Sequence, residues 1–286
     1  MLLAHCDSEP DSGYGSGMSR IERFESADGT TIACHVAGDG APLVLVHGTS
    51  ADHTRWAPVI TQLSANVTTY AMDRRGRGSS ADAEEYSIEL EFDDVAAVID
   101  AIGGEVDVLG HSYGAVCSLE ATLRTPRVRR LVLYEPPLPV GIEIYPPGLL
   151  ERLDQLVAAG DRDGAVATFF REVVRMPDSE LEIVRADPSW EARVAAAHTI
   201  PRELRIADVY DPDFERFATV HVPTLLLLGG DSPSFLVDPT HRLNESISQS
   251  KLTMMPGQQH VAMTTAPDLF LAHVIDFLTD VRAPLR

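Results

Sequence analysis

The chain alternates between short apolar runs and longer segments in which apolar residues recur every three or four positions. Short runs rich in valine, isoleucine and leucine predict buried strands, and the longer period predicts helices that pack on a sheet. Strands are predicted at 42–46, 67–72, 106–109, 130–134, 224–228 and 251–255, and helices at 54–63, 87–102, 240–246 and 267–281. Two more strands, at 21–26 and 31–37, flank Asp28-Gly29, a dipeptide typical of a hairpin turn.

A different pattern occupies residues 138–218, where only helical spacing is visible, broken by prolines and by Gly160. An all-helical segment inserted into an alternating strand–helix chain is typical of a cap or lid. The sequence therefore predicts a helical cap at 138–218 and a core made of 19–137 plus 219–286. Residues 1–18 are dominated by Gly, Ser and Asp and predict a disordered tail.

The pentapeptide Gly110-His111-Ser112-Tyr113-Gly114 lies between a predicted strand and a helical pattern. It has the form G-x-S-x-G, in which a sharp strand-to-helix turn pushes the serine hydroxyl clear of the sheet. The serine is thereby set at a helix N-terminus, where the helix dipole favours a developing anion. Because such pentapeptides also occur by chance, the strand before it and the helix after it are what make the motif informative.

The amino-acid composition limits the kinds of partner that the protein can bind. The formal net charge of −20, from 43 acidic and 23 basic residues, disfavours a nucleic acid or an anionic membrane as partner. Cys6, Cys34 and Cys117 form no C-x-x-C pair, so neither a disulfide framework nor a zinc site is predicted. The first seventeen residues lack the basic and long apolar regions of a signal peptide, and no apolar run approaches the length of a membrane span. These features predict a cytoplasmic protein, monomeric or homodimeric.

The order of these parts resembles that of the α/β-hydrolases, from Ile21 to the C-terminus. Four landmarks carry the resemblance: His47-Gly48, the D-x-R-G-x-G stretch at 73–78, the turn at Ser112, and P-G-x-x-H ending at His260. The resemblance implies an α/β fold, a doubly wound and mostly parallel eight-stranded sheet with a helical cap inserted after strand six.

Acyl transfer requires a base that takes the proton of Ser112, since a serine hydroxyl is a weak nucleophile. His260 is the candidate, because it follows the last predicted strand and should lie beside the Ser112 turn. The resemblance implies that the backbone N–H groups of Thr49 and Tyr113 form the oxyanion hole. It implies neither a metal nor a cofactor.

The acid that orients the histidine is where the chain departs from the family pattern. The usual position, three residues after Gly229, holds Ser232, and Asp231 is one position early. A minority of family members place the acid just after the sixth strand, where this chain has Glu135. We favour Glu135 as the partner of His260 and keep Asp231 as the alternative.

These features predict a serine hydrolase that cleaves a small to medium apolar ester, thioester or lactone through an acyl-enzyme. Phe169, Phe170 and Trp190 of the predicted cap are expected to line a mostly apolar pocket for an acyl or aryl group. Alternatives with the same residues are a carbon–carbon bond hydrolase and a cofactor-free perhydrolase. A non-hydrolytic binder or a biosynthetic lyase on the same fold also stays open.

Overall fold

A computed structural model describes residues 20–141 and 145–280, with no account of the side chains of 206–209. The predicted tail at 1–18 lies outside the described residues. Within them, the eight strands form one sheet in the order β1-β2-β4-β3-β5-β6-β7-β8. The strands are β1 Arg20–Glu25, β2 Thr31–Ala37, β3 Pro42–Val46, β4 Thr68–Met72, β5 Val106–His111, β6 Val128–Tyr134, β7 Thr224–Gly229 and β8 Ser250–Met255.

Pairing in the sheet is antiparallel only where β2 meets β1 and β4, and parallel at every other described pair. Since β3, β5, β6 and β7 lie side by side and run the same way, their carboxyl ends meet at one edge. The loops that follow these strands carry the candidate site.

The described residues contain eleven α-helices. They are α1 Ala57–Ser64, α2 Ile88–Ile102, α3 Tyr113–Thr122, α4 Leu149–Ala158, α5 Arg162–Thr168, α6 Asp178–Ala186, α7 Trp190–Ala195, α8 Ile200–Val209, α9 Ser234–Ser246, α10 Ala262–Thr265 and α11 Pro267–Thr279. Short 3-10 turns precede α1 and α8, and a π-helical turn at Phe169–Val173 continues α5.

The sheet is covered on both faces, as the continuous apolar strands predict. Alternate residues of β3 point to opposite sides: Val44 and Val46 pack in the core formed by α2, α3 and α9, whereas Leu43 and Leu45 pack with α1 and α11. This arrangement is the doubly wound fold expected from the sequence.

Between β6 and β7 the described chain contains helices and no strand. These helices, α4 to α8, are called here the helical segment (149–209), and they pack around an apolar cluster of their own. Val261, directly after the last strand's loop, belongs to that cluster and joins it to the sheet. No helix in the described part of the chain is both long and apolar enough to span a bilayer.

One predicted element is too short. The sequence predicts a helix at 240–246, but α9 begins six residues earlier, at Ser234. Pro239 suggests a break because it lacks an N–H and cannot make the usual helical hydrogen bond. The helix continues through it, and Thr240 Oγ1 donates to the Leu236 carbonyl at 2.7 Å.

Phe270 of α11 is fully buried under the sheet, whereas Phe277 of the same helix is half-buried. We expect Phe270→Ala to lower the free energy of unfolding by about 3–5 kcal/mol, because it leaves a cavity in a packed core. Urea denaturation measures the change. Phe277→Ala is the matched control and should cost clearly less; equal losses would contradict the assigned packing of α11.

Candidate active site

Ser112 stands at the junction of β5 and α3 in a backbone conformation that L-residues rarely adopt, with φ 55° and ψ −127°. The neighbouring chains leave no room for side chains at the flanking glycines. A Cβ on Gly110 would lie 2.6 Å from the Ala115 Cα, and one on Gly114 would lie 2.3 Å from the His47 carbonyl oxygen. The two glycines therefore allow the turn that places the Ser112 side chain above the sheet edge.

His260 and Glu135 meet at the same edge. Glu135 Oε2 lies 2.6 Å from His260 Nδ1, so the imidazole N–H donates to the carboxylate. Glu135 Oε1 accepts from the Gly229 N–H at 2.7 Å and from Ser232 Oγ at 2.5 Å. The Glu135 side chain is fully buried and its backbone has φ 48°. Three bonds thus fix the carboxylate, and through it the orientation of the imidazole ring.

Asp231 does not occupy this position. In the described structure its backbone N–H donates to the Gln258 carbonyl, and its side chain makes no bond to His260. Burial raises the pKa of Glu180 in α6, and the charge of Asp231 adds to that shift. Ser232, at the usual acid position, instead donates to Glu135. A glutamate therefore reaches the imidazole from the end of β6, and the loop after β7 supports it.

The two residues expected to supply an oxyanion hole lie beside Ser112. Tyr113 is the first residue of α3, so its N–H is among those without a partner inside the helix. Thr49 follows His47-Gly48 after β3 and lines the same cavity as Ser112 and Tyr113. The structure thus brings Thr49, Tyr113, Ser112 and His260 to one place.

Two buried histidines hold the surrounding loops. His47 Nε2 accepts from the Arg74 N–H at 3.1 Å, and its Nδ1–H donates to the Gly48 carbonyl at 2.8 Å. His111 Nε2–H donates to the His260 carbonyl at 2.8 Å. Burial, reinforced by nearby positive charge, keeps the pKa of each ring well below its usual range. Both rings are therefore neutral at pH 7, and their hydrogen bonds join the backbone of neighbouring loops.

An apolar cavity opens beside Ser112 and His260. Its apolar walls come from the core, from the helical segment and from α9, and they include Ile88, Val116, Pro137, Phe169, Val173, Leu204, Phe235 and Leu236. Phe169 lines the cavity, as the sequence predicts. Trp190 is not among the lining residues of either cavity described here: its indole stacks on Phe170 and donates Nε1–H to Asp163 at 2.8 Å. A buried indole N–H needs such a partner, which turns the ring into the helical segment.

A second, smaller cavity adjoins the first at Ser112, Thr49 and His260. Phe170 lines this cavity, together with Arg55 and Arg193. Sequence reasoning missed both arginines. A signal existed for Arg55, which stands four residues before the inward-facing Val59 and so belongs to the same helical stripe. No comparable signal marks Arg193.

Buried ion pairs tie the helical segment to the sheet. Arg74 forms two bonds to Glu91 of α2, at 2.8 and 2.6 Å, and one to Glu203 of α8 at 2.7 Å. Arg77 also pairs with Glu203. The Arg74 guanidinium lies 4.5 Å from the Tyr113 ring centroid, so this network also contacts the residue that follows Ser112.

The described residues contain one group of metal-ligand type, formed by His35, His53 and Asp73. Its two imidazole rings are stacked 3.3 Å apart with planes 11° from parallel. A metal about 2.0–2.1 Å from both nitrogens would lie far out of each ring plane, away from the lone pairs. Asp73 Oδ1 instead accepts from the backbone and ring N–H groups of His53, and Oδ2 accepts from the Ser79 N–H. The cluster fits a hydrogen-bonded support for the turn at 73–79.

Comparison with known proteins agrees with this architecture. A sequence model of the alpha/beta hydrolase family matches residues 43–273. The chain is 28% identical to a 2-hydroxy-6-oxo-2,4-heptadienoate hydrolase of Pseudomonas putida, over 91% of this chain and 97% of the relative. It is also 28% identical to a pimeloyl-[acyl-carrier protein] methyl ester esterase of Neisseria meningitidis, over 83% of this chain and 93% of the relative.

Among solved structures, an alpha/beta hydrolase from Sphaerobacter thermophilus is similar, with a TM-score of 0.79 and 35% identity over 90% of this chain and all of that one. The resemblance inferred from four sequence landmarks is thereby confirmed. Because the family match spans most of the 286 residues, the chain belongs to the alpha/beta hydrolase family and is a hydrolytic enzyme.

Proposed function

We propose that the protein is a serine hydrolase that cleaves an ester of a small to medium apolar acid or alcohol through an acyl-enzyme. The observation that carries this proposal is the arrangement at the strand edge. Ser112, in a strained turn, shares an apolar cavity with His260, whose Nδ1–H is held by the buried carboxylate of Glu135. Nucleophilic acyl transfer needs a serine beside a histidine whose orientation is fixed by an acid.

In the proposed reaction, His260 Nε2 takes the proton of Ser112 as the hydroxyl attacks the carbonyl carbon. The N–H groups of Thr49 and Tyr113 stabilise the oxyanion, and His260 returns the proton to the leaving alcohol. Water then hydrolyses the acyl-enzyme by the same steps. Glu135 accepts the Nδ1–H of His260 throughout and stabilises the imidazolium. The helical segment would act as the cap, since Phe169, Val173 and Leu204 form part of the cavity wall and exclude water from it.

A carbon–carbon bond hydrolase is the second candidate. Two relatives are named for the hydrolysis of oxo-dienoic acids, in Pseudomonas putida and in Metapseudomonas resinovorans. The cavity lined by Arg55 and Arg193 favours this candidate, because such substrates carry a carboxylate next to an apolar chain. Both reactions would use Ser112 and His260.

Ser112→Ala should remove ester hydrolysis, with a loss on the order of a million-fold in kcat, because no nucleophile remains. The measurement is turnover of para-nitrophenyl esters of increasing acyl length, together with labelling by a fluorophosphonate probe. Ser118→Ala is a matched control, since Ser118 lies on α3 but only donates to the Gly114 carbonyl. Substantial turnover or labelling of Ser112→Ala would place the chemistry elsewhere.

Glu135→Gln should lower kcat by about four orders of magnitude, because an amide no longer holds the imidazole in the tautomer that presents Nε2 to the serine. Asp231→Asn should have a far smaller effect, because its side chain makes no bond to His260. Single-turnover kinetics on the same ester compares the two. A larger loss in Asp231→Asn would show that the histidine uses a different acid in turnover.

The two candidate reactions can be distinguished by the substrate that the enzyme prefers. We expect the best ester of the acyl series to have a higher kcat/KM than a 6-alkyl or 6-aryl 2-hydroxy-6-oxo-dienoate. Cleavage of the dienoate is measured by the loss of its absorbance. Ser112→Ala serves as the blank for both substrates. A higher kcat/KM for the dienoate would assign the enzyme to carbon–carbon bond hydrolysis.

A further inference from the structure

Arg55 and Arg193 are buried cations without a carboxylate partner. Each side chain is 3% exposed, and no described acid lies within ion-pair distance of either guanidinium. Arg55 donates to Thr264 Oγ1 at 2.7 Å and contacts the Met263 sulfur. The one hydrogen bond of Arg193 in the described structure goes to the Ser50 carbonyl at 3.3 Å, and its Nε–H has no partner.

Asp52 and Asp187 are the acids whose charges act on Arg193, and both accept hydrogen bonds from other residues. Asp52 accepts from the backbone N–H and the hydroxyl of Thr54, at 2.9 and 2.5 Å. Asp187 accepts from the Ser189 N–H at 2.8 Å. Burial lowers the pKa of Arg55 to about 9, with a further contribution from the charge of Arg193, and lowers the pKa of Arg193 to about 10. Both groups are therefore cations at pH 7, although burying a charge without an opposite charge is costly.

Both arginines line the small cavity that meets the apolar cavity at Ser112. The Arg193 guanidinium lies 5.4 Å from the Phe170 ring centroid, which holds it at the cavity wall. A group bound there would sit on one side of the serine while an apolar chain fills the other side. A carboxylate suits this place, because guanidinium N–H groups match its two oxygens in geometry and charge.

We infer that Arg55 and Arg193 form an anion site that binds a carboxylate of the substrate, so that the enzyme acts on molecules with a carboxylate on one side of the scissile bond and an apolar group on the other. This inference rests on the proposed serine hydrolase function and specifies its substrate class. The net charge of −20 repels anions from the molecule as a whole. A preference for carboxylated substrates must therefore arise from local contacts.

Two matched substrate pairs test the inference. The first pair is the para-nitrophenyl monoester of glutarate and para-nitrophenyl pentanoate, which places the carboxylate on the acyl side. The second pair is para-butanoyloxybenzoate and its benzamide, which places it on the alcohol side. We expect the carboxylate to raise kcat/KM in one pair. Arg193→Met and Arg55→Met should each lower that charged-to-neutral ratio by about ten- to a hundredfold, the usual worth of a hydrogen bond to a charged group.

Arg171→Gln is the control, because Arg171 belongs to the same helical segment but is exposed and pairs with Asp178. It should leave the ratio unchanged, and Arg193→Lys should restore part of it. Equal kcat/KM within both pairs, a preference for the neutral members, or a preference that survives both Met variants would overturn the anion site.

Binding to the wild-type protein keeps the test valid if the Met variants fail to fold. Calorimetry should show benzoate binding more tightly than benzamide, and equal or weaker binding of benzoate would overturn the inference. Because this comparison needs no turnover, it tests the anion site separately from the nucleophile. If the proposed serine hydrolase function is wrong, Ser112→Ala will instead hydrolyse esters as fast as the wild-type protein does.

Discussion

The buried carboxylate of Glu135 is the contact on which the geometry of the site depends. It receives the imidazole of His260 from the loop after β8, and the Gly229 N–H and the Ser232 hydroxyl from the end of β7, while its own backbone leaves β6. One fully desolvated negative charge thus joins the ends of three adjacent strands. Its three charge-assisted hydrogen bonds offset the cost of burial, and they hold the positive φ of Glu135 in place.

The surroundings of Ser112 divide into two chemically distinct sides. Valine, leucine and phenylalanine side chains from the core, α9 and the helical segment surround one cavity, and two guanidinium groups line the other. The sequence pattern around 138–218 indicates only that apolar residues are available to cover the site. The charged side arises from Arg55, before α1, and Arg193, in α7, which are far apart in the chain and meet only in the folded protein.

A feature could be predicted from the sequence when the residues that form it lie close together along the chain. The turn at Ser112 is local, because a strand, two glycines and a helix lie within a few residues, and its position follows from the pattern alone. The doubly wound sheet follows from buried strands that alternate with helices. The orientation of Trp190 depends instead on Asp163, and the choice between Glu135 and Asp231 depends on contacts among three loops. No periodicity along the chain encodes these long-range contacts, and Pro239 shows that even a local signal is overridden when a helix packs well.

The ion pairs of Glu203 resist movement of the helical segment away from the sheet. If α8 moved away from the sheet, Arg74 and Arg77 would lose their shared partner, and the loss of one partner from a buried ion pair costs about 3–5 kcal/mol. On the opposite side, the π-helical turn at 169–173 shares the cavity wall with Phe235 and Leu236 of α9, and the buried Arg193 guanidinium lies against Phe170 of the same turn. Movement of the helical segment away from the sheet would therefore break buried ion pairs on one side and uncover a buried guanidinium on the other.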